Sequence, residues 1–324
     1  MVSSLYPHSF LELVAWTIFL GIMAFAGLLF YFKKRTPSAK AYTERYQSEC
    51  FYFDPTTKRN LEFPSLLDPP SVQLTVVIPA YKETSRLPSM LDECLEFLEH
   101  RRTDAQFTYE IIVVDDGSGD ETSKVALEYA EKFSTDKVRV LTLEKNRGKG
   151  GAIKLGVLSA RGRHILMADA DGATKFSDLD HLKKSMKAHS GDVIAIGSRA
   201  HLEQRAVAER SFFRNLLMWG FKAFVYVAGV KGLKDTQCGF KLFTRGAASK
   251  CFQNLHVDRW AFDVELLYIA ERFGIKVNEV AVNWREMEGS KLIPVFSWLQ
   301  MASDIARMRL CYIFGIWEID FSVE

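Results

Sequence analysis

Cysteine is scarce in this chain of 324 residues: Cys50, Cys94, Cys238, Cys251 and Cys311 are odd in number, scattered and never in a C-x-x-C pair. That spacing excludes a disulfide framework and a zinc knuckle, and points to a reducing compartment. The seven histidines are equally dispersed, which removes a His-rich metal site. Net charge is nearly missing: 42 Lys and Arg against 40 Asp and Glu leave +2, which excludes a globally basic nucleic-acid binder and an acidic tail protein. N-x-S/T sequons are absent. The charged fraction of 25% is ordinary, so the chain is not disordered, collagenous or of low complexity, and its length admits one large domain or two modest ones. Aromatic residues are the exception. Their 13% requires that many rings be buried or anchored.

Long uncharged runs are also absent, save one. Leu13–Phe32 spans 20 residues without a charge, about 30 Å as a helix and enough to cross a bilayer. A cleavable signal peptide has a shorter apolar stretch and a small-residue cleavage site, and neither fits here. Residues 1–12 carry no Lys or Arg, whereas Lys33, Lys34 and Arg35 follow the run directly. The positive-inside rule therefore predicts a lumenal segment 1–12, an anchor over 13–32 and a cytosolic remainder. A buried core helix is the competing reading.

Residues 33–72, punctuated by Pro37, Pro55, Pro64, Pro69 and Pro70, read as a linker that settles onto a domain. From Gln73 short β-branched runs (73–79, 109–116, 138–143, 164–171 and 193–198) alternate with stretches of helical period. Apolar strands separated by helices predict an α/β domain over 73–290, with a mostly parallel sheet covered on both faces. Ligands bind such sheets at the carboxyl ends of the strands. Pro79-Ala80-Tyr81-Lys82-Glu83, Asp115-Asp116 and Asp169-Ala170-Asp171 all fall there.

Asp169 and Asp171 stand one residue apart in a turn that Gly172 relieves. Two carboxylates so placed suit a hard divalent ion, Mg²⁺ or Mn²⁺, that keeps several waters and binds substrate phosphates; solvated loop acids are the alternative. A strand ending in D-x-D-G-x-T is also the nucleophile motif of haloacid-dehalogenase phosphatases. That family carries its further acidic pair downstream, whereas here Asp116 lies 53 residues upstream of Asp169. Asn146-Arg147-Gly148-Lys149-Gly150-Gly151 leads into a helix and offers amides and two cations to a phosphate, or forms a simple tight turn. Arg199–Lys250 holds ten basic and three acidic residues, +7, leaving −5 for the rest. Within it, 215–229 reads as a membrane-facing aromatic helix suited to a lipid phosphate, and 291–324 as an amphipathic membrane-associated region. Core helices with a solvated basic face are the alternative. Lys222, Asp304, Arg307 and Arg309 interrupt these runs too centrally for further spans.

In this order, VVIPAYKE, VVDDGS, NRGKGGA and DADGA resemble the inverting GT-A glycosyltransferases of family 2. Beyond them, GSR (197–199) and KDTQCGFKLF (234–243) are similar to the dolichyl-phosphate sugar transferases, and RWAFDVELLYIA and NWREMEGSKL to the branch that carries glucose. The resemblance covers roughly residues 72–315. It implies a GT-A, Rossmann-like fold on the cytosolic face of the endoplasmic reticulum membrane, held by one N-terminal span. The implied reaction moves glucose from UDP-glucose to dolichyl phosphate with inversion, giving dolichyl β-D-glucosyl phosphate for lipid-linked oligosaccharide assembly in N-glycosylation. Transfer of mannose from GDP-mannose to the same lipid is the nearest alternative. UDP-glucose, dolichyl phosphate and the bilayer are the implied partners.

The resemblance also implies roles by position. Pro79, Tyr81, Glu83, Asp115 and Asp116 line the uracil and ribose pocket. Arg147 and Lys149 approach the diphosphate, Ala170 and Gln237 lie by the donor, and Asp169 and Asp171 hold Mg²⁺ or Mn²⁺. Arg199 and Arg214, with Arg210 beside them, grip the acceptor phosphate. Arg285, Ser290 and Lys291 sit in a loop that closes over the donor. Asp171, Arg199, Arg214 and Asp263 form the catalytic set, with Asp263 and Glu265 where polymerising relatives supply a base. One departure is visible: Lys82 stands where the family's P-x-Y-N-E has Asn.

Overall fold

The computed structural model of the chain describes residues 6–35, 43–101, 107–202, 220, 232–287 and 294–323. Its first element is helix α1 (Tyr6–Arg35). From Glu12 to Gly27 every side chain is exposed, Leu13, Trp16, Phe19 and Ile22 among them. The helix runs for 30 residues, about 45 Å, and among the described residues no helix is long and apolar enough to cross a membrane. Farther along α1, Phe25 meets the edge of Phe314 at 5.4 Å between ring centroids, and Lys33 Nζ lies 3.5 Å from Glu318.

Of the segment read as a linker that settles onto a domain, the described residues 43–72 pack on that domain with structure of their own. A 3-10 turn (Gln47–Cys50) leads into an antiparallel hairpin of β1 (Phe51–Asp54) and β2 (Arg59–Glu62). Alternation decides its inner face: in F-Y-F-D, Tyr52 and Asp54 turn inward while both Phe remain outside. Asp54 closes the turn by accepting from the Thr56 amide at 3.1 Å and the Thr57 hydroxyl at 2.6 Å. Tyr52, Phe63 and Leu66 then join the main core.

All five predicted strands form: β3 (Val72–Ala80), β4 (Tyr109–Asp115), β5 (Val138–Thr142), β6 (Gly162–Ala168) and β7 (Val193–Ser198). Two more complete the sheet, β8 (Phe240–Thr244) and β9 (Lys276–Ala281), in the order β5-β4-β3-β6-β8-β7-β9. Only β8 runs against its neighbours, pairing antiparallel with β6 and β7. The expected mostly parallel α/β sheet is therefore present.

Helices α2 (Leu87–Arg101), α3 (Thr122–Phe133) and α5 (Leu179–Met186) cover one face. α2 shows how: Leu87, Met90, Leu91, Cys94, Leu95 and Leu98 recur at three- and four-residue steps and are buried. The other face carries α4 (Gly148–Leu158), α6 (Arg245–Gln253), α7 (Phe262–Arg272) and α8 (Pro294–Ile313). α8 lies in the region read as membrane-associated, yet Ile305, Met308 and Cys311 are buried in that core. The segment 215–229, expected to be a membrane-facing helix, lies outside the described residues apart from Gly220. All five cysteines are free thiols.

Candidate active site

Because β8 is reversed, its amino end meets the carboxyl ends of the other strands, and a cavity of about 1720 Å³ opens along that edge. Asp169 and Asp171 follow β6 directly on its floor. Gly239, entering β8, lies so close that a Cβ there would stand 1.9 Å from Asp169 Oδ2. Only glycine leaves room for that carboxylate. Lys149 Nζ lies 2.6 Å from the buried Asp169 Oδ1, so the carboxylate is already ion-paired with a cation at the cavity wall. Burial, then the neighbouring Asp169 charge, raise the Asp171 carboxyl above its ordinary value. Two adjacent carboxylates, one seated in space that only Gly239 leaves open, fit a hard divalent ion that takes its remaining ligands from substrate and water. Among the described residues no cluster of three or more His, Cys, Asp or Glu forms a fuller metal cage.

On the nucleotide side the acidic pair divides. Asp115 turns inward, accepting from the Ser118 amide at 3.0 Å and from the hydroxyls of Ser118 and Ser123. Asp116 lines the cavity and accepts from the amides of Arg147 (2.7 Å) and Gly148 (2.9 Å). Burial pushes its carboxyl up to about 7. These bonds revise the glycine-rich loop as an amide cradle for phosphate: Asp116 takes two amides, and the Asp258 carbonyl takes that of Gly151 at 2.9 Å. The glycines serve packing, since a Cβ on Gly150 would lie 2.6 Å from the Val257 carbonyl. Pro79, Tyr81 and Ala170 line the cavity, as does Glu83, which is held by both arms of Arg86 at 2.6 and 2.7 Å. Lys82 adopts φ +54°, a left-handed conformation that asparagine tolerates far better than lysine.

Arg199 lines the far wall, in a bidentate pair with Asp235 at 2.8 and 3.0 Å and with its guanidinium 5.4 Å from the Trp284 ring. Burial would raise the Asp235 carboxyl, but Arg199 holds it below its ordinary value. Gln237 is beside them and donates to the Met301 sulfur of α8. Asp263 borders the cavity with its carboxylate 2.6 Å from Lys241 Nζ. Glu265 is separated from it and faces the core, accepting from the amides of His256 (2.9 Å) and Val257 (2.6 Å) and the Tyr312 hydroxyl (2.7 Å). Asp263 and Glu265 thus do not act together. Arg285 is exposed on a strap, its amide bonding the Ala173 carbonyl at 2.9 Å, while its neighbours Trp284, Glu286 and Met287 line the cavity. Arg210, Arg214, Ser290 and Lys291 lie outside the described residues. Sequence reasoning missed Arg86, Lys241, Asp235 and Trp260, whose ring lies 5.6 Å from the Lys149 ammonium. For the last three, the stretches KDTQCGFKLF and RWAFD were the available signal.

The family model described as glycosyl transferase family 2 matches residues 75–252. The chain belongs to that family. It is a glycosyltransferase, 56% identical over 281 residues to the dolichyl-phosphate β-glucosyltransferase of Homo sapiens, covering 85% of this chain and 86% of that one. Over 308 residues it is 53% identical to the dolichyl-phosphate β-glucosyltransferase of Drosophila melanogaster, covering 94% and 93%. Among solved structures it shares its fold with glucosyl-3-phosphoglycerate synthase from Mycobacterium tuberculosis in complex with Mn²⁺ and UDP-glucose. That likeness has a TM-score of 0.51 and 17% identity, covering 76% of this chain and 81% of that one. Family membership sets the phosphatase reading of the D-x-D motif aside.

Proposed function

We propose that this glycosyltransferase moves glucose from UDP-glucose to dolichyl phosphate with inversion, on the cytosolic face of the endoplasmic reticulum membrane. The carrying observation is the strand-end cavity in which Gly239 leaves room for the Asp169 carboxylate beside Asp171. The names of the relatives and the solved neighbour's donor and Mn²⁺ support the same reading. Asp169 and Asp171 would hold Mg²⁺ or Mn²⁺, which neutralises charge building on the departing diphosphate.

The chain's own groups do the rest. Lys149 and Arg147 lend positive charge on the diphosphate side, and Asp116, Glu83 and Tyr81 bound the nucleoside side of the cavity. Arg199, fixed by Asp235, together with Arg210 and Arg214, receives the acceptor phosphate. A phosphate monoester has its second pKa near ~6 and is mostly dianionic at neutral pH. It attacks the anomeric carbon opposite UDP without a strong base, so Asp263, tied to Lys241, serves to position. The fully exposed apolar side of α1 supports its assignment as the membrane anchor. The test supplies membranes with dolichyl phosphate, a divalent ion and labelled UDP-glucose or GDP-mannose. Labelled glucolipid is expected; label from mannose alone, or from neither donor, overturns the proposal.

A further inference from the structure

Residues Glu44–Cys50 precede the hairpin, and no role described so far uses them. They are docked on the loop joining β5 to α4. Glu49 is fully buried, and its carboxylate takes three donors: the Arg147 guanidinium at 2.6 Å, the Tyr46 amide at 3.1 Å and the Glu144 amide at 3.0 Å. Arg147 also donates to the Glu44 carbonyl at 2.7 Å. Arg45 reaches across to α4, giving hydrogen bonds to the Leu155 carbonyl (2.8 Å) and the Ser159 hydroxyl (2.9 Å). Tyr46 presents its ring to both cations of the loop, with Lys145 at 5.3 Å and Arg147 at 5.5 Å from the ring centroid. Tyr46, Lys145 and Arg147 line the same cavity as Asp116 and Asp169.

An exposed strap would rest on surface ion pairs that contribute little. A buried carboxylate with three donors is a different device, because removing a partner leaves a charge stranded away from water. Long cationic side chains left in water sample many rotamers, and ordering them on binding opposes affinity. Here a ring and a carboxylate hold them beforehand. The guanidinium has five N–H donors, so its bonds to Glu44 and Glu49 fix it without exhausting it.

We infer that the arm Glu44–Cys50 is a wall of the donor site, in which Tyr46 and Glu49 are positioning residues that set Lys145 and Arg147 against the diphosphate of a nucleoside-diphosphate sugar. The inference rests on the donor reading above and adds the part of the chain that completes the site. The full-length protein is assayed for transfer from UDP-glucose, with UDP and uridine as competing inhibitors. Tyr46→Ala and Glu49→Ala should each weaken inhibition by UDP about tenfold, the size of one charge-assisted contact. Uridine, which lacks the diphosphate, and the KM for dolichyl phosphate should hold within about twofold. Tyr46→Phe keeps the ring and drops only the hydroxyl that Lys145 bonds, so it should lose less UDP inhibition than Tyr46→Ala. Glu49→Ala added to Arg147→Ala should cost less than about twofold more, since the two act as a unit. Unchanged UDP inhibition in Tyr46→Ala, equal losses for UDP and uridine, or full additivity would overturn the inference. Should Glu49→Ala fail to fold, the Tyr46 pair decides alone. A wild-type enzyme that UDP does not inhibit would overturn the donor reading itself, and the arm's role with it.

Discussion

At the scale of single residues the site depends on carboxylates whose surroundings differ sharply. Asp171→Asn should lower transfer at least about a hundredfold, as expected when charge stabilisation of a leaving group is lost; labelled glucolipid formation measures it. Gly239→Ala should cost at least about tenfold, because the new methyl must displace the Asp169 carboxylate. A variant as active as wild type would show that this carboxylate has no fixed place. Asp116 gives a pH test. Burial raises its folded-state pKa from 3.8 to about 7, so the folded chain holds this proton more tightly than the unfolded one. Its stabilising contribution is present below about 4 and is lost as pH rises through about 7. Thermal melts of Asp116→Asn against wild type should therefore shift in the variant's favour between pH 5 and 8, and a constant difference would contradict it. The sequence showed these acids because they end apolar strands. It could not show that Asp115 turns inward while Asp116 faces the cavity, since that follows from which amides and hydroxyls the fold brings to each.

At the scale of elements, legibility follows burial. Strands β3 to β7 are apolar throughout, or nearly so, and announce themselves. β9, K-V-N-E-V-A at the sheet edge, has no buried residue, and its polar Lys276, Asn278 and Glu279 break the alternation of a half-buried strand, so it looks like loop. The hairpin hides among prolines, and its inward Tyr52 is recognisable only against its core partner Phe63 (5.1 Å between centroids). The reversal of β8 is not a property of F-K-L-F-T at all; it depends on the neighbours the chain returns to. α8 is tied to the sheet domain through Tyr312, whose hydroxyl burial and Glu265 keep protonated as a donor. Tyr312→Phe should cost about 1–3 kcal/mol by leaving Glu265 short of one partner, read as a lower Tm with the helix still formed. An unchanged Tm would mean that the Glu265 amide bonds suffice.

For the molecule as a whole, the near-zero net charge covers a basic stretch on the side assigned to the acceptor phosphate and acids gathered at the strand ends. The proposed topology makes a direct prediction. In intact microsomes a tag at Glu324 should be digested by added protease, and the chain should resist extraction by alkaline carbonate; protection of the tag would place the cavity on the wrong side. Deleting residues 1–35 should abolish carbonate resistance yet leave the sheet domain folded, as judged by a cooperative melt.

The docked arm sets a leash. Ten residues separate Arg35, where α1 ends, from Tyr46 in the cavity wall, and the eleven steps between them, fully extended, reach at most about 40 Å. In the proposed arrangement, with α1 in the bilayer, the mouth of the site would stay within that distance of the surface that holds the lipid acceptor. The search for an acceptor would then be two-dimensional, with tethering supplying effective concentration that tight binding in the cavity need not provide.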